Sequence, residues 1–401
     1  MQTPLNLTPL PADPLLGLMA AYRQDMRPDK VDLGVGVYRD ETGQTPVMRA
    51  VKAAERQLLA SQTTKVYEGP AGNQIFCAAI ADLVLGDKYH ALQDRLAMVA
   101  TPGGCGALYL ALNLLKRGCK NAAVWVSDPT WPNHIGVAAS LDMEVKTYAY
   151  GSGLDTQIDL DALLGSLSRA APGDVLIVQG PCHNPTGIDL SSEQWAQLGA
   201  FLNDRGIIPL IDVAYHGLGS SLDEDRAGVI ALLDQLETAC LSYSCSKNFG
   251  LYRERTGCLL VMSETADQSA AAASHLHDIA RACYSMPPAH GAAIVETILS
   301  NAQLRAQWES ELSDMRARVT ALRQQLATYL ATFTDNAAFK AVAGHKGMFS
   351  MLPLTAAQTD MLMHSKGLYL PHSGRVNVAG LHSDAAEDVA KAIAETLRLA
   401  P

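Results

Sequence analysis

Ser244-Cys-Ser-Lys-Asn-Phe-Gly-Leu-Tyr-Arg-Glu-Arg-Thr-Gly257 follows an apolar run, Ala239-Cys240-Leu241. The run predicts a buried strand, so Lys247 stands where that strand ends and a turn begins. Burial and neighbouring cations depress the pKa of such a lysine, leaving an amine nucleophile able to form a Schiff base. Ser244, Ser246 and Arg255 add hydroxyls and a fixed guanidinium, the groups that hold a phosphate. Judged singly, each of these residues is more often an ordinary loop or surface side chain. The pattern carries the reading.

Outward from this stretch, the same cadence of apolar run and helical stretch fills residues 46–313. The runs are Leu96–Ala100, Ala122–Val126, Glu144–Tyr150, Val175–Gln179, Ile207–Ile211, Cys240–Tyr243 and Cys258–Met262, with helical patterns such as Ala107–Leu115 and Ser192–Asn203 between them. The alternation predicts an α/β fold with a mainly parallel seven-stranded sheet between helices. Ligands in such sheets bind beyond the carboxyl ends of the strands.

Beyond residue 300, a start of capping-box type at Ser300-Asn-Ala-Gln303 precedes a helix of about thirty residues. Its stripe, from Leu304 and Trp308 through Leu322 and Leu326 to Leu330, predicts core or interface packing. The remainder reads as α+β: Gly347–Met351, Gly374–Gly380 and a closing helix. Residues 13–45 and 314–401 are expected to form a smaller domain together, with 46–313 as the large one and 1–12 as a Pro-rich arm. Within 31–38, Gly34 and Gly36 interrupt an extended apolar run and predict close approach of the backbone to a ligand or another strand.

The 401 residues allow roughly two domains of about 150. With 48% apolar and 18% charged residues, the chain has the balance of an ordinary soluble protein with a large core. The formal charge of −10 argues against an electrostatic grip on nucleic acid or anionic membrane. Leu96–Leu115 lacks charge but is broken by Thr101-Pro-Gly-Gly-Cys-Gly106, so it reads as strand and helix and not as a membrane span. The first 25 residues show no continuous apolar stretch of the signal-peptide kind. Eight cysteines without a CxxC pair read as reduced thiols in a cytoplasmic protein, neither zinc cluster nor disulfide framework. No metal site is expected.

Four further stretches carry chemistry. Thr101–Gly106 ends a strand and opens a helix, whose free N–H groups and dipole attract an anion. Asp128-Pro-Thr-Trp-Pro-Asn-His134 follows another strand; Trp131 and His134, taken alone, read as packing residues. In Cys182-His-Asn-Pro-Thr-Gly187, the proline holds Asn184 out of the helical region and fixes where its amide points. Ile207-Ile-Pro-Leu-Ile-Asp-Val-Ala-Tyr215 sets Asp212 in a strongly apolar strand, which is costly unless the carboxylate is paired. Pairing with His134 and capping a turn are both open to it.

Together, the Ser244–Gly257 segment and the full Asn-Pro-Thr-Gly match at 184–187 resemble the class I, fold-type I pyridoxal-phosphate aminotransferases. The resemblance is to the aspartate and aromatic branch and covers nearly all of residues 13–400. It implies pyridoxal 5'-phosphate joined to Lys247, with its phosphate held by Gly103, Gly104, Cys105, Ser244, Ser246 and Arg255. Cys105 departs from the family, which has Thr or Ser there, and a thiol is the poorer donor. Asp212, supported by His134, would hold the pyridine proton, and Tyr215 and Asn184 would share the phenolic oxygen. Trp131 would stack on the ring and meet substrate carboxylate. Tyr67 matches a tyrosine that reaches the phosphate of the neighbouring subunit, which implies a homodimer with shared sites. Arg375 matches the clamp on the α-carboxylate, and Arg281 the arginine that crosses to a distal carboxylate.

The implied reaction is ping-pong amino transfer between amino acids and oxo acids, 2-oxoglutarate included. Docking on Arg375 would draw the small domain closed, with Gly36 in the closing wall. Arg281 implies that dicarboxylates are accepted. Val66 and Met286 are apolar where strict aspartate enzymes are polar, while Arg39 and Thr45 stay polar. A broad aromatic and dicarboxylic specificity is therefore expected ahead of a strict aspartate one. A pyridoxal-dependent lyase could share Lys247 and Asp212, but Arg281 and the Trp131 motif argue against it. A DNA-binding regulator on the same fold would need a basic helix, and none is legible.

Overall fold

The computed structural model describes residues 7–9, 11 and 13–399. Of the expected arm at 1–12, residues 1–6, 10 and 12 lie outside the described residues. Among the described residues, eleven strands form three sheets. They are β1 (Val31–Asp32), β2 (Leu96–Pro102), β3 (Val124–Asp128), β4 (Val145–Ala149), β5 (Val175–Gln179), β6 (Ile208–Val213), β7 (Ala239–Ser244), β8 (Thr256–Met262), β9 (Phe349–Met351), β10 (Leu368–Tyr369) and β11 (Arg375–Asn377).

Seven of them make the main sheet, in the order β2-β8-β7-β6-β5-β3-β4. Only β8 runs against the others, pairing antiparallel with both β2 and β7. Every residue of β5, β7 and β8 is buried. That is the consequence of helices on both faces, and it explains apolar runs without polar alternation.

Parity along each strand sorts the core into two layers. Val175, Ile177, Leu210 and Cys240 pack with the helix Gly103–Gly118 on one face. Leu176, Val178, Ile211 and Leu241 pack on the other with Trp195, Leu198 and Leu202 of the helix Ser192–Arg205. Each fully buried Leu, Ile or Val stabilises the fold by about 1.5–3 kcal/mol. The same parity sets Asp212, Ser242 and Ser244 on the face under the N-terminus of Gly103–Gly118.

All seven expected strands are present, shifted by at most two residues at either end. The long helix runs Ala302–Thr334, and its stripe from Leu304 to Leu330 is buried. Its start differs from expectation. Ser300 closes the preceding helix, and Asn301 is the cap, its side chain accepting from the N–H groups of Gln303 and Leu304. Asparagine caps at least as well as serine and stands one residue nearer the first free N–H groups. Segments from both chain ends meet where β1 pairs with β10, and within the C-terminal part β11 pairs with β9. Gly34 and Gly36 are narrow for protein reasons, since a Cβ there would stand 2.5 Å from Leu18 and 2.8 Å from the Phe349 ring.

Among the described residues, no helix is long and apolar enough to cross a membrane. Leu96–Leu115 is divided between β2 and the helix that follows. Five of the cysteines are buried, and Cys105, Cys119 and Cys283 reach the surface to differing degrees.

Candidate active site

Beyond the carboxyl ends of β2, β3, β5, β6 and β7, five loops surround a cavity of ≈ 270 Å³. After β2, the helix Gly103–Gly118 begins at once. Gly103 has φ +69°, and a Cβ there would lie 2.6 Å from the Arg255 guanidinium; one on Gly104 would meet Ser244 at 3.1 Å. Side chains larger than hydrogen would fill this cradle, so backbone N–H groups, Ser244, Ser246 and Arg255 face a common space. Arg255 is steadied by donating from Nη1 to the Ser246 hydroxyl at 3.4 Å and to the Tyr252 carbonyl at 3.2 Å. This end is built for an anion. The Cys105 thiol lines it and accepts from the Asn133 amide at 3.2 Å. Burial pushes that thiol up from its ordinary range, so it stays protonated at neutral pH.

Across the cavity stands Asp212, near the end of β6. His134 Nε2 lies 3.1 Å from its Oδ2, and the Ser242 hydroxyl donates to Oδ1 at 3.3 Å. His134 is held in turn by the Thr130 hydroxyl, 2.9 Å from Nδ1, and by the Trp131 ring at 86°. Of the two partners open to Asp212, His134 is the one it has. A carboxylate so oriented, and still lining the cavity, can hold a cationic N–H from a bound ring.

Asn184 and Tyr215 make the third wall. The Asn184 backbone is clamped by Gln179, whose amide donates to its carbonyl at 2.8 Å and accepts from its N–H at 2.9 Å. Its side-chain nitrogen then donates to the Tyr215 hydroxyl at 3.3 Å, and its oxygen accepts from Arg375 Nη1 at 3.2 Å. Burial raises the Tyr215 phenol well above its ordinary pKa, leaving it a neutral donor.

Lys247 projects into the same space, its Nζ 5.2 Å from the Tyr215 ring centroid. Burial lowers its pKa, with Asp212 opposing and Arg255 and Arg375 reinforcing. Arg375 is nine-tenths buried, donates from Nη2 to the Gly34 carbonyl at 2.8 Å, and leaves Nε without a partner among the described residues. A buried guanidinium with a vacant donor fits a carboxylate from outside the chain.

The structure thus brings Gly36, Gly104, Cys105, Trp131, Asn184, Asp212, Tyr215, Ser244, Ser246, Lys247, Arg255 and Arg375 to one cavity, with Gly103 and His134 directly behind. It does not bring Tyr67 or Arg281 there. Tyr67 is 86% exposed, and Arg281 is exposed and donates to Ser285. Arg39 pairs with Asp32 at 2.8 Å, and the Thr45 hydroxyl donates to the Tyr38 carbonyl. Leu15, Gln179, Ala214 and Phe349 line the cavity without having been singled out. Gln179 sits in a run read only as strand and Phe349 in the α+β remainder, and nothing local in the sequence marks them.

The model of the family "Aminotransferase class I and II" matches residues 28–393. This chain belongs to that family. The aminotransferase is 45% identical over 378 residues to a tyrosine aminotransferase of Rhizobium meliloti, covering 94% of this chain and 96% of the relative. It is equally 45% identical, over 396 residues, to an aspartate aminotransferase of Escherichia coli, covering 98% and 99%. Among solved structures, an aromatic-amino-acid aminotransferase from Burkholderia pseudomallei, covalently bound to pyridoxal phosphate, superposes with a TM-score of 0.95 at 36% identity. That match covers 99% of this chain and all of the other. An aromatic amino acid aminotransferase solved with 3-indolebutyric acid gives a TM-score of 0.93 at 42% identity, covering 98% and 99%. The enzyme is therefore a transaminase with relatives named for both aromatic and dicarboxylic substrates.

Proposed function

We propose that this aminotransferase moves amino groups from tyrosine, phenylalanine and aspartate to 2-oxoglutarate by a ping-pong route, with pyridoxal 5'-phosphate as cofactor. The observation that supports it is one cavity with an anion cradle at one end, Asp212 across from it, and between them the half-buried Lys247 and Arg375, whose Nε has no partner among the described residues. Gly103, Gly104, Cys105, Ser244, Ser246 and Arg255 would hold the phosphate, Asp212 with His134 the ring nitrogen, and Asn184 with Tyr215 the phenolic oxygen. Bound there, the cofactor supplies a carbonyl that captures amines and a protonated ring that draws electrons from the substrate's α-carbon.

Lys247 would tether the cofactor and would carry the α-proton on Nζ; burial lowers its pKa, the direction that favours the neutral amine this task needs. Asp212, oriented by His134 and Ser242, would accept a hydrogen bond from the ring nitrogen's N–H. Arg375 orients the α-carboxylate, and Trp131 and Gly36 shield the face above from water. We further propose that residues 46–313 form one domain and 13–45 with 314–401 another, closing on one another when Arg375 is occupied.

A homodimer completes this reading. Tyr67, Val66 at 72% exposed and Leu59 at 86% are exposed large apolar side chains that a second copy would cover. Tyr67 and Arg281 would then serve the partner's cavity, Tyr67 at the phosphate and Arg281 at a distal carboxylate. The reading places the enzyme in the cytoplasm with its reduced thiols.

Broad specificity is preferred to strict aspartate transamination because Val66 and Met286 would give the partner's cavity an apolar rim. Comparing kcat/KM for phenylalanine, tyrosine and aspartate tests it. Values within about two orders of magnitude are expected; aspartate exceeding both aromatics by several orders would contradict it.

A further inference from the structure

Arg323 lies in the middle of the long helix Ala302–Thr334, is 1% exposed, and does not line the cavity. Among the described residues no carboxylate pairs with it. Burying a guanidinium without a counter-ion is costly, and a methionine or leucine would fill the same volume at lower cost. What the charge obtains is three acceptors in one short segment: the carbonyls of Gly347 and Phe349, the latter at 3.0 Å, and the Ser350 hydroxyl. His345 Nδ1 lies 3.3 Å from that hydroxyl and its Nε2 3.1 Å from the Asp155 carbonyl. Gly347, at φ +74°, seats the segment against Cys182, where a Cβ would come within 2.2 Å.

The residue so fixed is Phe349. Its ring centroid lies 4.3 Å from the Arg375 guanidinium carbon. The Tyr215 ring meets it edge-on at 6.1 Å and 88°, and Gly36 leaves it room only by lacking a side chain. One aromatic platform thus touches three walls of the cavity. Arg375 itself pairs with Met351 across β9 and β11, so a slip of β9 would move clamp and platform together.

We infer that Arg323 is a positioning residue for the carboxylate clamp: it fixes Gly347–Ser350 so that the Phe349 ring holds the Arg375 guanidinium in its binding orientation. This rests on the reading of Arg375 as that clamp. Arg323 touches neither substrate nor cofactor and acts only through Phe349.

The test uses the loaded enzyme and two readouts that loss of stability alone would not separate. In R323M, KM for phenylalanine and Kd for the amine-free analogue 3-phenylpropionate, read by spectroscopic titration, should rise about tenfold while kcat changes less than about threefold. R323K, which keeps a charge and a donor, should fall between R323M and the parent. F349L leaves Arg323 intact and should give the same split, which keeps the inference testable where R323M does not fold. Unchanged KM and Kd in a folded R323M or in F349L overturn it, whatever happens to Tm. R375K separates the underlying reading: if it leaves KM and Kd unchanged, the clamp is misassigned and the inference falls with it. If R375K raises both and R323M and F349L do not, only the positioning role is lost.

Discussion

Asp212 is an acid whose cost of burial is met by two neighbours, His134 and Ser242, and whose remaining lone pairs face the cavity. Exchanging it for asparagine keeps the shape and removes the charge. Turnover of D212N should fall by about 10²–10⁴-fold, measured as kcat under saturating substrate. Cys105 makes a second case. A thiol donates weakly where a hydroxyl would reach a phosphate oxygen, so C105T should slow loss of pyridoxal phosphate by about tenfold, followed by absorbance after dilution. An unaltered dissociation rate would place Cys105 outside the anion cradle. Lys247 and Asp212 were legible because each breaks an apolar pattern, and a buried charge demands a reason. Gln179 and Leu15 were not legible, since a glutamine ending a strand and a leucine opening a helix break no pattern.

The elements were legible wherever periodicity decides them. The sequence places β5 to the residue because Asp174 and Gly180 bound the run Val175–Gln179, apolar up to its last residue, while β6 and β3 shift because their ends are fixed by neighbours across the sheet. Ser300 misled for a local reason: it precedes the better cap by one residue. The long helix does more than connect. Trp308 donates its indole N–H to the Asn248 carbonyl at 2.8 Å, and its ring stacks on Phe249 at 4.4 Å. It therefore buttresses the turn that carries Lys247. W308F removes the hydrogen bond but keeps the stack, and should cost about 1–2 kcal/mol in denaturant-induced unfolding. A change below a few tenths of a kcal/mol would show that the turn stands without this support.

For the whole molecule, buried neutral histidines tie stability to pH. Burial pushes His183 down to about 3 and His345 to about 4. A histidine depressed in the folded state favours folding above its unfolded value and loses that advantage as pH falls below 6.5. Asp189, raised to about 6 by burial, works the other way over the same range. Between pH 7 and 5 each histidine should cost about 2 kcal/mol of stability. H345Q does not titrate, so its loss over that interval should be smaller by about that amount in urea unfolding; an equal loss would contradict the assignment. A shared dimer site is implied only by the resemblance, since Tyr67 and Arg281 do not line the cavity of the single chain. Sedimentation should give a dimer, and Y67F should weaken cofactor retention without dissociating it. A monomer with full activity would remove the shared site.

One measurement bears most directly on the centre of this account. Borohydride reduction of the loaded enzyme, followed by peptide mass mapping, should leave the phosphopyridoxyl group on the peptide containing Lys247 and on no other. Recovery of that group on a different lysine, or of an unmodified Lys247 peptide from fully loaded enzyme, would contradict it.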